Sequence, residues 1–163
     1  MSKAKNHVDW CLRKAEKEGV KHRGLVITRP NRRLALEHIV KAEHNLTVFR
    51  KNKELGFFDW TISMGFYVLY HCCLAVLAEF GYESRNQECT FSVVKLLIEE
   101  KKISSEFQRY LDALLTHEAT ESEILPMREK YQYTTATDID EIKVKELLAL
   151  CQDMIIDTRG TVE

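Results

Sequence analysis

Residues 57–82 constrain this chain more than any other stretch. Between Asp59 and Glu79, residues 60–78 carry no formal charge. Trp60, Met64, Tyr67, Val68, Leu74, Ala75 and Ala78 recur at the spacing of one helical face. Ile62, Phe66, Leu69, Cys72, Val76 and Leu77 fill the other faces. A helix that is apolar on most sides has to be surrounded, by other helices or by lipid. Its length just suffices to cross a bilayer. Thr61, Ser63, Gly65, Tyr67, Tyr70 and His71 suit a protein surrounding better, and no second apolar run accompanies it. The expectation is a buried bundle helix and no membrane span. Mid-helix Gly65 costs roughly 1 kcal/mol relative to alanine, which points to a close helix crossing, within the bundle or across a dimer.

The flanking chain reads as amphipathic helix. Residues 4–18 place Val8, Cys11, Leu12 and Ala15 at helical spacing and end at Gly19. The link that follows, around Leu25, Val26 and Ile27, suits an extended arm or a docking strand. Thr28 and Pro30 signal the next helix start. Leu34, Leu36, Ile39, Val40, Ala42, Leu46, Val48 and Phe49 carry that helix to about Lys53, where Leu55 and Gly56 turn the chain. Gly81 stops the central helix, since glycine enters the left-handed region at low cost.

After a polar turn over residues 83–87, a helix is expected from about Glu88 to Glu100. The next is capped by Ser104 or Ser105 and carries Phe107, Tyr110, Leu111, Leu114 and Leu115. A short segment follows from Glu121 to about Lys130. The last helix, capped by Asp138, presents Ile139, Ile142, Val144, Leu147, Leu148, Cys151, Met154 and Ile155. With only two prolines and six glycines, long helices are favoured. The fold class is therefore all-α. It is an up-and-down bundle of four to five main helices with an extra N-terminal helical arm, divided as residues 1–30 and 31–163.

Charge is uneven. Residues 1–53 hold fourteen Lys/Arg against five acids, and the rest of the chain holds ten against twenty. Arg13, Lys14, Lys17, Arg29, Arg32 and Arg33 form the basic arm. It suits either nucleic-acid backbone or packing on the acidic body or a neighbouring subunit. The five cysteines are odd in number and lack a Cys-x-x-Cys spacing. With no apolar signal core at the N-terminus, they imply a reducing cytoplasm in which most act as small apolar residues.

No metal and no cofactor are expected. His38 and His44 are six apart and share no helix face, and glycine-rich phosphate loops are missing. His71 reads as a core histidine hydrogen-bonded to Tyr67 or to another helix. Arg128, Lys130, Tyr131 and Tyr133 concentrate charge and aromatic rings. Such a set can bind a phosphate and stack a base, or form a half-buried surface segment.

Two stretches resemble the HEPN-domain family. One comprises Phe57-Phe-Asp-Trp60, Gly65-Phe-Tyr-Val-Leu-Tyr-His71, Leu74-Ala-Val-Leu77 and Gly81-Tyr-Glu-Ser-Arg-Asn-Gln-Glu88. It is similar to the family's long helix and the Gly-Tyr turn after it. The other is Arg128-Glu-Lys-Tyr-Gln-Tyr133. The resemblance spans roughly residues 34–158. It implies a bundle that commonly dimerises and works on nucleotides or RNA, as a metal-independent ribonuclease, a nucleotide binder or a nucleotidyltransferase partner of the toxin–antitoxin kind.

Catalytic relatives carry Arg-x-x-x-x-His, the arginine holding phosphate and the histidine assisting transfer. Here Arg128 keeps the first position, but the histidine position is Tyr133, and Gln87 stands at the turn. A tyrosine whose pKa is about 10 is a weak base at neutral pH. The resemblance thus implies a non-catalytic binder of nucleotide or RNA through Arg128, Tyr131, Tyr133, Arg85 and Lys130. A ribonuclease using Arg128 with Tyr133, His117 or His71, or a purely structural interaction protein, are the rivals.

Overall fold

The computed structural model describes residues 2–19, 24–115 and 124–163. Its order is α1 (Lys3–Glu18), β1 (Leu25–Ile27), α2 (Arg32–Glu54), α3 (Phe58–Glu79), β2 (Tyr82–Ser84), α4 (Gln87–Glu99), α5 (Phe107–Leu114), α6 (Ile124–Tyr133) and α7 (Glu141–Val162). The all-α bundle expected from periodicity is what forms.

Helix α3 is the axis. Its uncharged sequence buries residues on every side, among them Ile62, Phe66, Leu69, Cys72, Cys73, Val76 and Leu77. Helices α2, α4, α6 and α7 pack around it. Among the described residues it alone is long and apolar enough to cross a membrane, and most of that apolar stretch is covered by the bundle. One aromatic expectation, the burial of Trp60, fails at its start. Phe57 and Trp60 are each 54% exposed, because the chain there has only just left the turn at Gly56, beyond the covering helices.

The other helix ends follow local chemistry. Asn31 caps α2 by accepting from the Leu34 amide, in place of the expected Thr28–Pro30 start. Asp140, not Asp138, caps α7 through the Ile142 amide. The Asn86 side chain caps α4 through Cys89 N–H. Each side chain satisfies an amide that has no partner inside its helix. At the first turn of α5 the Ser104 hydroxyl accepts from Glu106 N–H. On the outward faces, Val40 and Ile142 are exposed, although the helical pattern placed both inside.

The sequence left residues 25–27 open between an arm and a strand. They form a strand, antiparallel to β2, with Leu25 opposite Ser84 and Ile27 opposite Tyr82. The polar turn after α3 therefore begins as a strand. Gly81 makes this possible. Its φ is +83°, and a Cβ there would lie 2.8 Å from the Thr28 carbonyl oxygen. The Gly81 carbonyl accepts from Thr28 N–H at 2.8 Å. Substitution would strain the backbone and push the two chains apart.

Gly65 settles its own question: the close crossing is inside the bundle. A Cβ at this position would sit 2.6 Å from Leu147 Cδ2 and 2.8 Å from Leu147 Cγ on α7. Gly65→Ala should gain helix propensity but lose more by overpacking, for a net cost of about 1–2 kcal/mol. Urea unfolding of the single variant and of Gly65→Ala/Leu147→Ala tests this. With Leu147→Ala alone measured beside them, the double variant should lose less than the sum of the two single losses, and strict additivity would remove Leu147 as the cause.

Three of the five cysteines, Cys72, Cys73 and Cys151, are buried free thiols. They act as small core residues, and burial raises the pKa of each, that of Cys72 to about 12. Cys11 and Cys89 depart from that reading. They form a disulfide between α1 and α4 across a sequence separation of 78. A bridge over that distance leaves no spacing signal in the sequence.

Candidate functional site: an anchored arginine beside an aromatic cleft

Arg128 sits on the inward face of α6 and is only 9% exposed. Its guanidinium carbon lies 4.3 Å from the centre of the Phe66 ring and 5.8 Å from that of Tyr67. Nη1 donates to the Tyr67 hydroxyl at 3.2 Å. Nε is buried and has no partner among the described residues. The Phe66 ring is itself held, stacked on Tyr70 and edge-on to Tyr67. A guanidinium over an aromatic face in a desolvated seat is held by about 2 kcal/mol. The charge therefore pins α6 onto α3.

The motif partners diverge from it. Tyr133 follows five residues later, about 140° around a helix, and is 71% exposed. Lys130 is exposed, with its ammonium 5.4 Å from the Tyr131 ring centre. Tyr131, one turn beyond Arg128, is half-buried and donates to the Asp138 carbonyl at 2.7 Å. Arg85 lies past the far end of α3. Phe80 is thirteen residues from Tyr67, or about 20 Å of helix. Arg128, Tyr131 and Lys130 thus share α6, Tyr133 points away, and Arg85 belongs to another region. His117 lies outside the described residues.

Tyr131 lines a cleft of about 670 Å³ that sequence reasoning did not find. Phe57, Phe58 and Trp60 from the start of α3 form one wall. Asp138, Ile139 and Asp140 from the loop before α7 form another, with Lys143 and Asp59 at the sides. Its signal in the sequence is the aromatic run 57–60, of which the helical pattern places Trp60 in the core. Exposed flat rings offer stacking, the carboxylates accept from hydroxyl or amino groups, and Lys143 supplies a cation.

A second groove of about 350 Å³ runs between α2, α3 and β2, where His38, Arg85, Glu83 and Ser84 meet. His38 Nδ1 lies 3.1 Å from His71 Nδ1, so one ring donates and the other accepts. The expected hydrogen bond of His71 is thus made to another helix. Burial, then the facing His38 and Lys41, lowers His71 to about 4. Burial also lowers His38, against the pull of Glu37 and Glu83.

This gives a pH dependence with a definite sign. Unfolded, both rings titrate near about 6.5, so the unfolded chain takes up protons first as pH falls. The stability of the neutral pair is complete above about 6.5 and is lost progressively toward about 4. Since the rings are only half-buried, solvent screening reduces the loss to about 1–2 kcal/mol. The urea midpoint should fall between about pH 7.5 and pH 5, and fall less in His71→Gln. Equal falls would assign the acid sensitivity to other groups.

The basic arm is partly engaged. Arg32 pairs with Glu79 at 3.2 Å and Arg33 with Glu37 at 3.2 Å. Lys14 lies 3.9 Å from Glu18 and 5.3 Å from the Trp10 ring centre. Arg13, Lys17 and Arg29 are exposed.

The model of the HEPN domain matches residues 35–158, and no curated protein matches the chain. That span runs from the first turn of α2 almost to the end of α7. It contains Arg128, its aromatic seat, the cleft and the histidine pair, and leaves α1 and β1 outside. A match over most of the chain, on a helical bundle, carries a general nucleotide- or RNA-related role, and the protein belongs to the HEPN-domain family.

Proposed function

We propose that this protein binds a nucleotide or single-stranded RNA without efficient catalysis, seating a base in the cleft between Trp60 and Tyr131. The observation that carries this reading is the exposure of Phe57 and Trp60 beside Tyr131 and Lys143. Apolar rings left at a concave surface stack bases of any sequence. The cleft acids suit ribose hydroxyls and base amino groups, while Lys130, Lys143 and the exposed cations of α1 draw phosphate. Arg128 holds the wall in place, and Tyr133, turned to solvent, stands too far around α6 to act with it as an acid–base pair.

The test is a titration of labelled single-stranded RNA and of nucleotides with chelator present, at two salt concentrations, run on native and denaturing gels. Affinity should fall steeply with salt and the RNA should remain intact. Trp60→Ala should weaken binding by roughly tenfold, the value of one lost stack, with helical content unchanged. Unaltered affinity in that variant, or no binding at all, removes the cleft as the site.

The ribonuclease reading has one observation in its favour. His38, bonded to His71, opens on a groove that also holds Arg85, an acid–base group beside a cation. Chelator-resistant cleavage that His38→Ala abolishes would replace the binder with an enzyme.

A homodimer belongs to the same proposal. Ile142, Ala149 and Ile156 recur every seven residues and are exposed along α7, the spacing of a helix-pairing stripe. Sedimentation of the full chain decides it, since a monomer mass at every concentration excludes the dimer.

A further inference from the structure

The junction of α1 and α4 lies far in sequence from the cleft, and its disulfide has a third potential ligand beside it. His7 is four residues before Cys11, on the same face of α1. Its Nε2 lies 3.9 Å from Cys11 Sγ. The ligand atoms of His7, Cys11 and Cys89 all fall within 4.8 Å of one another. The other ring nitrogen, Nδ1, is hydrogen-bonded to Ser92 Oγ at 2.5 Å. Ser92 is three residues after Cys89, on the same face of α4. The ring is also stacked on Trp10 at 5.7 Å between centres.

A histidine held by Nδ1 with Nε2 turned toward two sulfurs has the orientation of a metal ligand, whose second nitrogen is ordinarily fixed by a hydrogen bond. Zinc–sulfur and zinc–nitrogen bonds of about 2.3 and 2.0–2.1 Å put tetrahedral ligand atoms about 3.5–3.8 Å apart. The His7–Cys11 separation is close to that already. Only the two sulfurs need to part. His7 and Ser92 also line an open cleft of about 430 Å³ with Glu88, so water or the Glu88 carboxylate has access to a fourth position.

We propose that, once the disulfide is reduced, His7, Cys11 and Cys89 bind one zinc-type divalent ion, so that the same two sulfurs fasten α1 to α4 either by a bond or through a metal. A dithiol or phosphine reductant supplies two electrons, the S–S bond breaks, and each sulfur takes a proton from solvent. The reductant leaves as its own disulfide or as phosphine oxide, the oxide's oxygen coming from water. The ion then displaces both thiol protons to solvent and accepts two thiolates and the His7 Nε2 lone pair. Two thiolates and an imidazole select zinc over magnesium or calcium, which require oxygen ligands. Burial of Cys11 and Cys89, at 1% and 4% exposure, protects the site.

The experiment uses the full chain, oxidised or reduced with a phosphine that is then removed, and cobalt(II) as the spectroscopic probe. The reduced chain should take up one cobalt with thiolate charge-transfer and tetrahedral ligand-field bands, and zinc should displace it. The oxidised chain should take up none. Cys89→Ser should abolish the charge-transfer bands and His7→Ala should weaken binding tenfold or more, with helical circular dichroism as the check on folding. If the serine variant fails to fold, the comparison of oxidised and reduced wild type still decides. No uptake by the reduced chain overturns the proposal. So does an equal spectrum in the oxidised chain, or unchanged affinity in His7→Ala.

Discussion

Phe66→Ala should destabilise the protein by about 3–5 kcal/mol, the largest effect expected from any single substitution considered. The ring is fully buried at the middle of α3. Its loss leaves a cavity that Tyr70, stacked on it at 5.8 Å, is too constrained to fill. It also removes the face on which Arg128 rests. A buried guanidinium stripped of that contact keeps the Tyr67 hydroxyl and the more distant Tyr67 ring, so part of the cost is electrostatic. Phe66→Leu separates the two terms, since it restores most of the volume but no ring. A double-mutant cycle of Phe66→Leu with Arg128→Ala should give a coupling of about 1–2 kcal/mol. A coupling near zero would mean that Arg128 is held by its surroundings in general and not by the ring. Hydrogen exchange would locate the damage, with amides of α6 opening before those of α2.

The second large effect belongs to the α1–α4 bridge. Cys89→Ser, compared with the oxidised wild type, should lose about 2–4 kcal/mol. The sequence separation of 78 residues puts the loss at the upper end of that range, because the cross-link removes freedom from a long loop of the unfolded chain. At this chain length the melting temperature should drop by roughly 2–4 °C per kcal/mol. The loss should fall on α1 first, since its buried Ala4, Val8 and Cys11 are what dock it. A loss below about 0.5 kcal/mol would show that apolar packing alone secures α1. Zinc added to the reduced wild type should restore part of the stability, and it should restore none in Cys89→Ser. The bridge and the proposed metal site are thereby read in one series of melts.

Much of the helix inventory was legible because helical periodicity is local. Ile39, Ala42, Leu46 and Phe49 mark a buried stripe within a few turns, and the structure buries all four. Gly56 and Gly81 were identified as stops and both adopt positive φ. Periodicity does not, however, say where a helix runs out of neighbours. Trp60 and Ile142 carry the pattern into positions that no other element covers, so rings and methyl groups expected in the core face solvent. Caps were misassigned by two or three residues, at Thr28 for Asn31 and Asp138 for Asp140. Every Ser, Thr, Asp or Asn near a helix start competes for that role on nearly equal terms.

The candidate site was legible in part. Arg128 and Tyr131 stand out together in the sequence, but the pattern ends the helix at about Lys130 and leaves Tyr131 in the loop after it; α6 in fact continues to Tyr133, which puts the two one turn apart. What Arg128 touches was not readable, because Phe66 and Tyr67 are sixty residues away and nothing in their spacing names a cation as their partner. His38 and His71 are likewise brought together from α2 and α3.

The sequence by itself determined that α3 would be enclosed by helices, since an uncharged helix studded with tyrosine, serine and glycine has no stable place in either water or lipid. It also determined the resemblance that the family match bears out. Tertiary structure alone decided which surface remained open and which polar groups met: the aromatic cleft at residues 57–60, the strand pairing of 25–27 with 82–84, the two histidines, and the Cys11–Cys89 bridge with His7 beside it. The physical reason is range. Propensity and periodicity act over a turn or two of chain, whereas sites form where packing closes distances of thirty to eighty residues.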